Sequence, residues 1–239
     1  PVHWGGASPN MQKIMAIARR NNLKVVEDAC MGIGAKIKKK RPGTFGHASA
    51  FSMHPLKSLN VMGDGGMVVT NNDKIALWLK KYRNHGMTDR DHISFWGINV
   101  RLQPLQAIVA NKQLKNVKKI VSLRNKNANM LDKRLSKIKK IKIPLRKKNY
   151  LETFALYMAC FKQRNKLEKY LLKNGIEVKI HYPIPLHLQK AAKSLGYKKG
   201  DFPKAEKQSK ELLTLPIHQY LNKKQINYIA KKIENFYNN

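Results

Sequence analysis

The sequence predicts an α/β chain in which part of a large mixed-sheet domain is followed by a smaller C-terminal α+β domain. Three observations carry that reading. Residues 8–28 pass from a helix start, through apolar residues at helical spacing, to a short apolar strand, which is the rhythm of a parallel sheet. Asp28 closes that strand, at the carboxyl end where such sheets collect functional groups. From Ile138 onward the pattern changes to short strands interspersed with polar helices.

The elements follow in order. Ser8 and Pro9 read as the N-cap and first position of a helix carrying Met11, Ile14, Met15 and Ala18, which Asn21-Asn22 ends. Residues 23–28 form the strand that Asp28 closes. Residues 29–46, rich in Gly and Lys, read as turns or a surface excursion. Residues 48–53 and 67–70 are the next strands. Asn71-Asn72 caps a helix that runs to about Tyr82 on Ile75, Leu77 and Trp78, and residues 83–99 are loop. A long helix begins near Pro104, keeps its beat through Leu105, Ile108, Val109 and Leu114, and kinks or breaks before residues 121–135. Then come a strand at 156–161, a helix at 164–172 closed by Asn174-Gly175, a strand at 176–182, and helices at 201–213 and 222–236. The expected division is 1–115 for the C-terminal portion of the large domain and 116–239 for the small one. No internal repeat is evident.

Composition narrows the function classes. A hydrophobic share of 42% is well above that of a disordered chain, and no apolar stretch is long enough to cross a bilayer, so no membrane partner is expected. Two cysteines make no disulfide framework, which suits a reducing cytoplasm. The net charge of +34 would attract phosphate backbones. Yet no zinc-finger spacing, helix-turn-helix signature or RNA-binding aromatic pair accompanies it, so no dedicated nucleic-acid partner is expected. An anionic small substrate or a biased composition accounts for the charge more simply. His181 and His187 lack a nearby cysteine or regular carboxylate partner, so no metal site is expected.

The residues with chemistry to offer lie between Asp28 and Gly66. Lys57 sits in the polar loop after the second strand, just ahead of Gly63-Asp64-Gly65-Gly66. A carboxylate beside a pyridine nitrogen and a lysine that forms a Schiff base are the two protein groups a pyridoxal cofactor needs most. Ser52 offers a hydroxyl to a phosphate. Each has a plainer reading: Asp28 as a solvated strand end, Lys57 as one lysine among dozens, Ser52 as a turn hydroxyl. The glycines form neither a Walker motif nor a dinucleotide fingerprint.

Taken as an ordered set, the segments resemble the DegT/DnrJ/EryC1/StrS family of pyridoxal-phosphate-dependent sugar aminotransferases, of transferase fold type I. The matching pieces are Val26-Glu27-Asp28-Ala29, Ala50-Phe51-Ser52, Lys57 with Gly63-Asp64-Gly65-Gly66, Arg83-Asn84-His85-Gly86, Gly97-Ile98-Asn99-Val100-Arg101 and His181-Tyr182-Pro183 through His187. Gly200-Asp201-Phe202-Pro203 and Leu215-Pro216 continue the series. The resemblance implies Lys57 as the Schiff-base lysine, Asp28 at the ring nitrogen and Ser52 on the phosphate. It implies Asn99 as the residue reaching the cofactor phosphate of the neighbouring subunit of a homodimer with shared sites. Tyr182 and His187 fall where the family lines the substrate side of the cleft. The implied cofactor is pyridoxal 5'-phosphate, with glutamate as usual amino donor and a nucleotide-linked keto sugar as acceptor. A related enzyme acting on another keto substrate, and a regulatory relative that keeps the fold, are the alternatives. Family dehydratases carry histidine in place of the lysine, so Lys57 favours amine transfer.

Two departures stand out. Met31 occupies a position where the family has glutamine or histidine, and a thioether cannot donate a hydrogen bond. Family chains also begin well before Pro1, so an N-terminally truncated member is expected, one that by itself binds the cofactor weakly or not at all.

Overall fold

The computed structural model describes residues 1–238. Its elements up to the fourth helix are α1 (Met11–Arg20), β1 (Val26–Asp28), β2 (Lys36–Ile37), β3 (Ala48–Ser52), β4 (Gly66–Val69), α2 (Asp73–Tyr82), α3 (Pro104–Leu114) and α4 (Val117–Leu135). There follow β5 (Ile141–Lys142), β6 (Tyr150–Leu151), β7 (Tyr157–Phe161), α5 (Arg164–Lys173), α6 (Pro203–Glu211), β8 (Leu212–Leu215) and α7 (Lys223–Asn238). They form two compact units, one of Pro1–Ser122 with Lys148–Ala155, the other of Leu123–Lys147 with the residues from Leu156 onward.

The first unit is built on the sheet β1-β3-β4, in which β1 and β3 run parallel and β4 antiparallel to β3. Asp28 pairs with Ala50 and Glu27 with Ser49, so the strand alternation puts Asp28 on one face and Glu27 on the other. Glu27 and Ser49 are fully buried, whereas Val26 and Asp28 are exposed. α1 starts later than its sequence suggests. Asn10, not Ser8, is the N-cap, its side chain accepting the Lys13 N–H at 3.1 Å, because the Ser8 hydroxyl is drawn to His3 Nδ1 at 3.0 Å. Met11 and Ala18 from α1 meet Val25 and Ile37 in one core cluster. Residues 29–46 are therefore more than a surface excursion, since Ile37 in β2 is buried and pairs with Tyr150 in β6. A second cluster joins Met53, Leu59 and Val61, which flank the Lys57 loop, to Val117 and Val121 of α4. The expected break in the long helix falls between α3 and α4.

The second unit carries the antiparallel sheet β5-β7-β8. α5 packs against β7, β8 and α7. The helix expected over 201–213 stops at Glu211, and Leu212–Leu215 extends as a strand beside β7, burying Leu213 and Leu215. The strand expected over 176–182 shrinks to a single bridge between Lys179 and Thr214. In the centre, the Tyr157 hydroxyl donates to Asp132 Oδ1 at 2.6 Å, and Arg146 Nε donates to Asp132 Oδ2 at 2.9 Å. Phe161 on β7 is fully buried. Phe161→Ala is expected to destabilise this unit by ~3–5 kcal/mol, through lost transfer energy and a cavity. A urea titration reads this as a lower midpoint at unchanged slope.

Candidate active site

The site residues of the first unit gather at the carboxyl ends of two adjacent parallel strands. β1 ends at Asp28, whose Oδ1 accepts the Cys30 N–H at 3.1 Å. The ladder runs one residue further, with the Ala29 N–H donating to Ala50 O at 2.9 Å. Ser52 lies two residues beyond Ala50 and so on the same face as Asp28. Ser52 Oγ accepts the His54 N–H at 3.3 Å, which leaves the hydroxyl hydrogen to donate elsewhere. The chain then turns, the Lys57 N–H donating to His54 O at 2.9 Å, and Lys57 is half-buried.

The Cys30 thiol follows Asp28 and donates to Ala50 O at 3.8 Å. Burial pushes its pKa up, the hydrogen bond and charge of Asp28 push it further, and Lys57 pulls it back, for a net value of about 11. Cys30 is thus a protonated thiol at neutral pH and supplies no thiolate nucleophile.

The floor under the site is a second construction. The Met53 N–H donates to Gly65 O at 2.8 Å, tying the Lys57 loop to the glycine run. Gly66 is required there, because a Cβ would sit 2.8 Å from the backbone oxygen of Phe51. On the opposite face, Glu27 accepts His3 Nε2 at 2.9 Å and the N–H groups of Gly43, Phe45 and Gly46 at 2.9, 2.7 and 2.7 Å. Burial alone would raise the Glu27 carboxyl, but the hydrogen bonds from His3 and the three amides outweigh it and hold the pKa below the usual carboxylate range.

The other expected residues lie elsewhere. Asn99 is in an exposed loop, bridged to Asn84, and its Oδ1 accepts Arg101 Nε at 3.0 Å. Among the described residues, no contact joins it to Asp28, Ser52 or Lys57. Tyr182 and His187 belong to the second unit. Tyr182 is exposed, with its ring edge-on to that of His181. The His187 side chain is only 8% exposed; its Nε2 lies 3.1 Å from Glu206 Oε1, and its ring packs on Phe202 at 4.7 Å. Met31 turns its sulfur to the Gly5 N–H at 3.2 Å, and its carbonyl accepts the Thr153 hydroxyl at 2.8 Å. Among the described residues no group of His, Cys, Asp and Glu is arranged to hold a metal ion.

Sequence reasoning did not single out Glu27 as the hub of the first unit. Alternation places Glu27 on the face opposite Asp28, and once that face is buried its carboxylate must be paired.

The same architecture is found in known proteins. Residues 1–234 match the DegT/DnrJ/EryC1/StrS aminotransferase family. The chain is 36% identical over 241 residues to the pleiotropic regulatory protein of Geobacillus stearothermophilus, covering 99% of this chain and 64% of that one. It is 31% identical over 235 residues to the UDP-2-acetamido-2-deoxy-3-oxo-D-glucuronate aminotransferase of Pseudomonas aeruginosa, covering 98% and 64%. The crystal structure of S. venezuelae DesV in complex with a ketimine intermediate superposes with a TM-score of 0.96 at 30% identity, over 100% of this chain and 64% of that one. The chain thus spans 64% of the length of each of these relatives. Its fold is that of the pyridoxal-phosphate-dependent aminotransferases, as the sequence led one to expect. With the family pattern running from the first residue almost to the last, this chain belongs to the DegT/DnrJ/EryC1/StrS aminotransferase family.

Proposed function

We propose that the chain works in a pyridoxal-phosphate-dependent aminotransferase that moves an amino group from glutamate to a keto group of a nucleotide-linked sugar. The observation that carries this reading is the placement of Asp28 at the carboxyl end of β1, of Ser52 at that of β3 on the same face, and of Lys57 in the turn that follows. The donor set fits the group. A carboxylate suits the pyridine nitrogen, a hydroxyl with its hydrogen to give suits the phosphate, and an amine suits the aldehyde.

When bound, pyridoxal phosphate supplies a protonated ring that stores the electron pair left as a Cα proton departs. The Asp28 carboxylate holds the proton at the ring nitrogen. The Lys57 Nζ would hold the cofactor and, as a free amine, would carry the proton from the donor's Cα to the cofactor carbon that bore the aldehyde, and away from that carbon in the other half-reaction. The Ser52 hydroxyl orients the phosphate. The P. aeruginosa relative, named for a UDP-linked keto sugar, supports the substrate class, and the charge of +34 suits a diphosphate.

The same reading includes a homodimer, with Asn99 reaching the partner's cofactor phosphate. The exposure of Trp78, Trp96, Ile98, Val100, Leu105 and Ile108 on α2, the loop after it and α3 supports an apolar interface there. Tyr182 and His187 are proposed on the sugar side, Tyr182 by contact and the buried His187 by holding its loop to Glu206.

The reading is tested with ¹⁵N-glutamate and a panel of UDP- and dTDP-linked keto sugars, scored by mass spectrometry for a labelled amino sugar. Asp28→Asn is expected to lower turnover by about 10²-fold or more, because the ring nitrogen loses a fixed charge. An undiminished rate in that variant contradicts the role of Asp28. A second reading, a regulatory relative, is favoured by the name of the G. stearothermophilus protein and by Met31. It is supported if a folded protein carrying this chain at the full length of its relatives takes up no cofactor.

A further inference from the structure

We propose that His54 is a positioning residue that sets the shape of the turn presenting Lys57, and thereby the rate at which the lysine amine captures pyridoxal phosphate. The proposal rests on Lys57 being the attachment residue.

Between Met53, which the glycine run holds, and Lys57, the hydrogen bonds of the turn among the described residues all involve His54. The backbone N–H of His54 donates to Ser52 Oγ at 3.3 Å, and its carbonyl accepts the Lys57 N–H at 2.9 Å. Its ring Nδ1 accepts the Leu56 N–H at 3.2 Å. Apolar burial does not do this work at the tip, where Pro55 is exposed and Leu56 is 76% exposed. The two ends are fixed, since Met53 and Leu59 lie in the core. The path between them depends on hydrogen bonds.

The ring also has a direction. An Nδ1 that accepts a hydrogen bond leaves the proton on Nε2. Nε2 faces Asp64 Oδ1 at 3.9 Å, and the Asp64 carbonyl is held by Gln106 Nε2 at 3.0 Å. His54 therefore stands between the Lys57 turn and the glycine loop opposite it. An asparagine here would place an acceptor where Nδ1 now sits, as in an Asx turn, and neither alanine nor phenylalanine would.

The test uses a protein that carries this chain at the full length of its relatives, with pyridoxal phosphate. Attachment is trapped by borohydride, counted by intact mass and mapped to Lys57 by peptide analysis; amide exchange is followed without cofactor. His54→Ala and His54→Phe are each expected to speed exchange at the Leu56 amide, and to slow attachment, by about tenfold, the effect of one lost hydrogen bond. His54→Asn is expected to stay within about threefold of the unsubstituted protein in both. Attachment at an unchanged rate in the phenylalanine variant, or an asparagine variant as slow as the phenylalanine one, overturns the proposal. No adduct at Lys57 in the unsubstituted protein overturns the assignment of Lys57 itself, and the proposal falls with it.

Discussion

Lys57→Ala is expected to abolish covalent attachment of pyridoxal phosphate and to reduce transamination by at least 10²–10⁴-fold, the usual contribution of a positioned proton carrier. Lys57 is half-buried in a turn whose ends are anchored by Met53 and Leu59, so removing its amine leaves the core clusters intact. Lys57→Arg is the sharper control. It keeps the positive charge, but a guanidinium neither deprotonates nor adds to an aldehyde at neutral pH. Both variants should unfold at the same denaturant midpoint as the unsubstituted protein while showing no cofactor mass after borohydride reduction. An alanine variant that retains turnover would remove Lys57 from the mechanism.

Glu27→Ala is expected to destabilise the first unit strongly. The side chain is fully buried and receives four hydrogen bonds, from His3, Gly43, Phe45 and Gly46. Removing one partner of a buried pair costs ~3–5 kcal/mol. A domain's total stability is only about 5–15 kcal/mol. The variant should therefore lose a large share of its stability, which a urea titration would show as a lower midpoint. The same carboxylate gives an acid limb to stability. Its folded pKa lies below the unfolded value of 4.5, so the folded state is favoured by the difference above that value. The contribution is lost as pH falls from about 4.5 through the depressed folded pKa. Glu27→Gln should flatten this limb while lowering stability at neutral pH.

Local pattern made much of the first unit legible. The β1 strand end, the β3 strand, the Asn72 cap of α2 and the α3–α4 break follow from apolar spacing and capping chemistry, which act over a few residues. Contacts between distant residues were not legible. The N-cap of α1 moved to Asn10 because His3, on a different segment, engages Ser8. β2 exists because Ile37 pairs with Tyr150, and β8 because Leu212–Leu215 finds β7, an environment that overrides the helical leaning of the preceding residues. The candidate site divides the same way. Asp28, Ser52 and Lys57 could be picked out from strand ends and loop position, but the shared face of Asp28 and Ser52 required the register of β1 on β3. The burial of His187 depends on Glu206, which nothing local announces.

The central claim is that Lys57 holds a pyridoxal cofactor which exchanges its amino group with an amino acid. It is tested most directly by the visible spectrum of a protein that carries this chain at the full length of its relatives, with pyridoxal phosphate, before and after glutamate is added. The account predicts a visible absorption band from the lysine-bound cofactor, absent in Lys57→Ala, which glutamate converts to the near-ultraviolet band of the aminated cofactor. A folded protein that shows no such band, or a band that glutamate leaves unchanged, would contradict it.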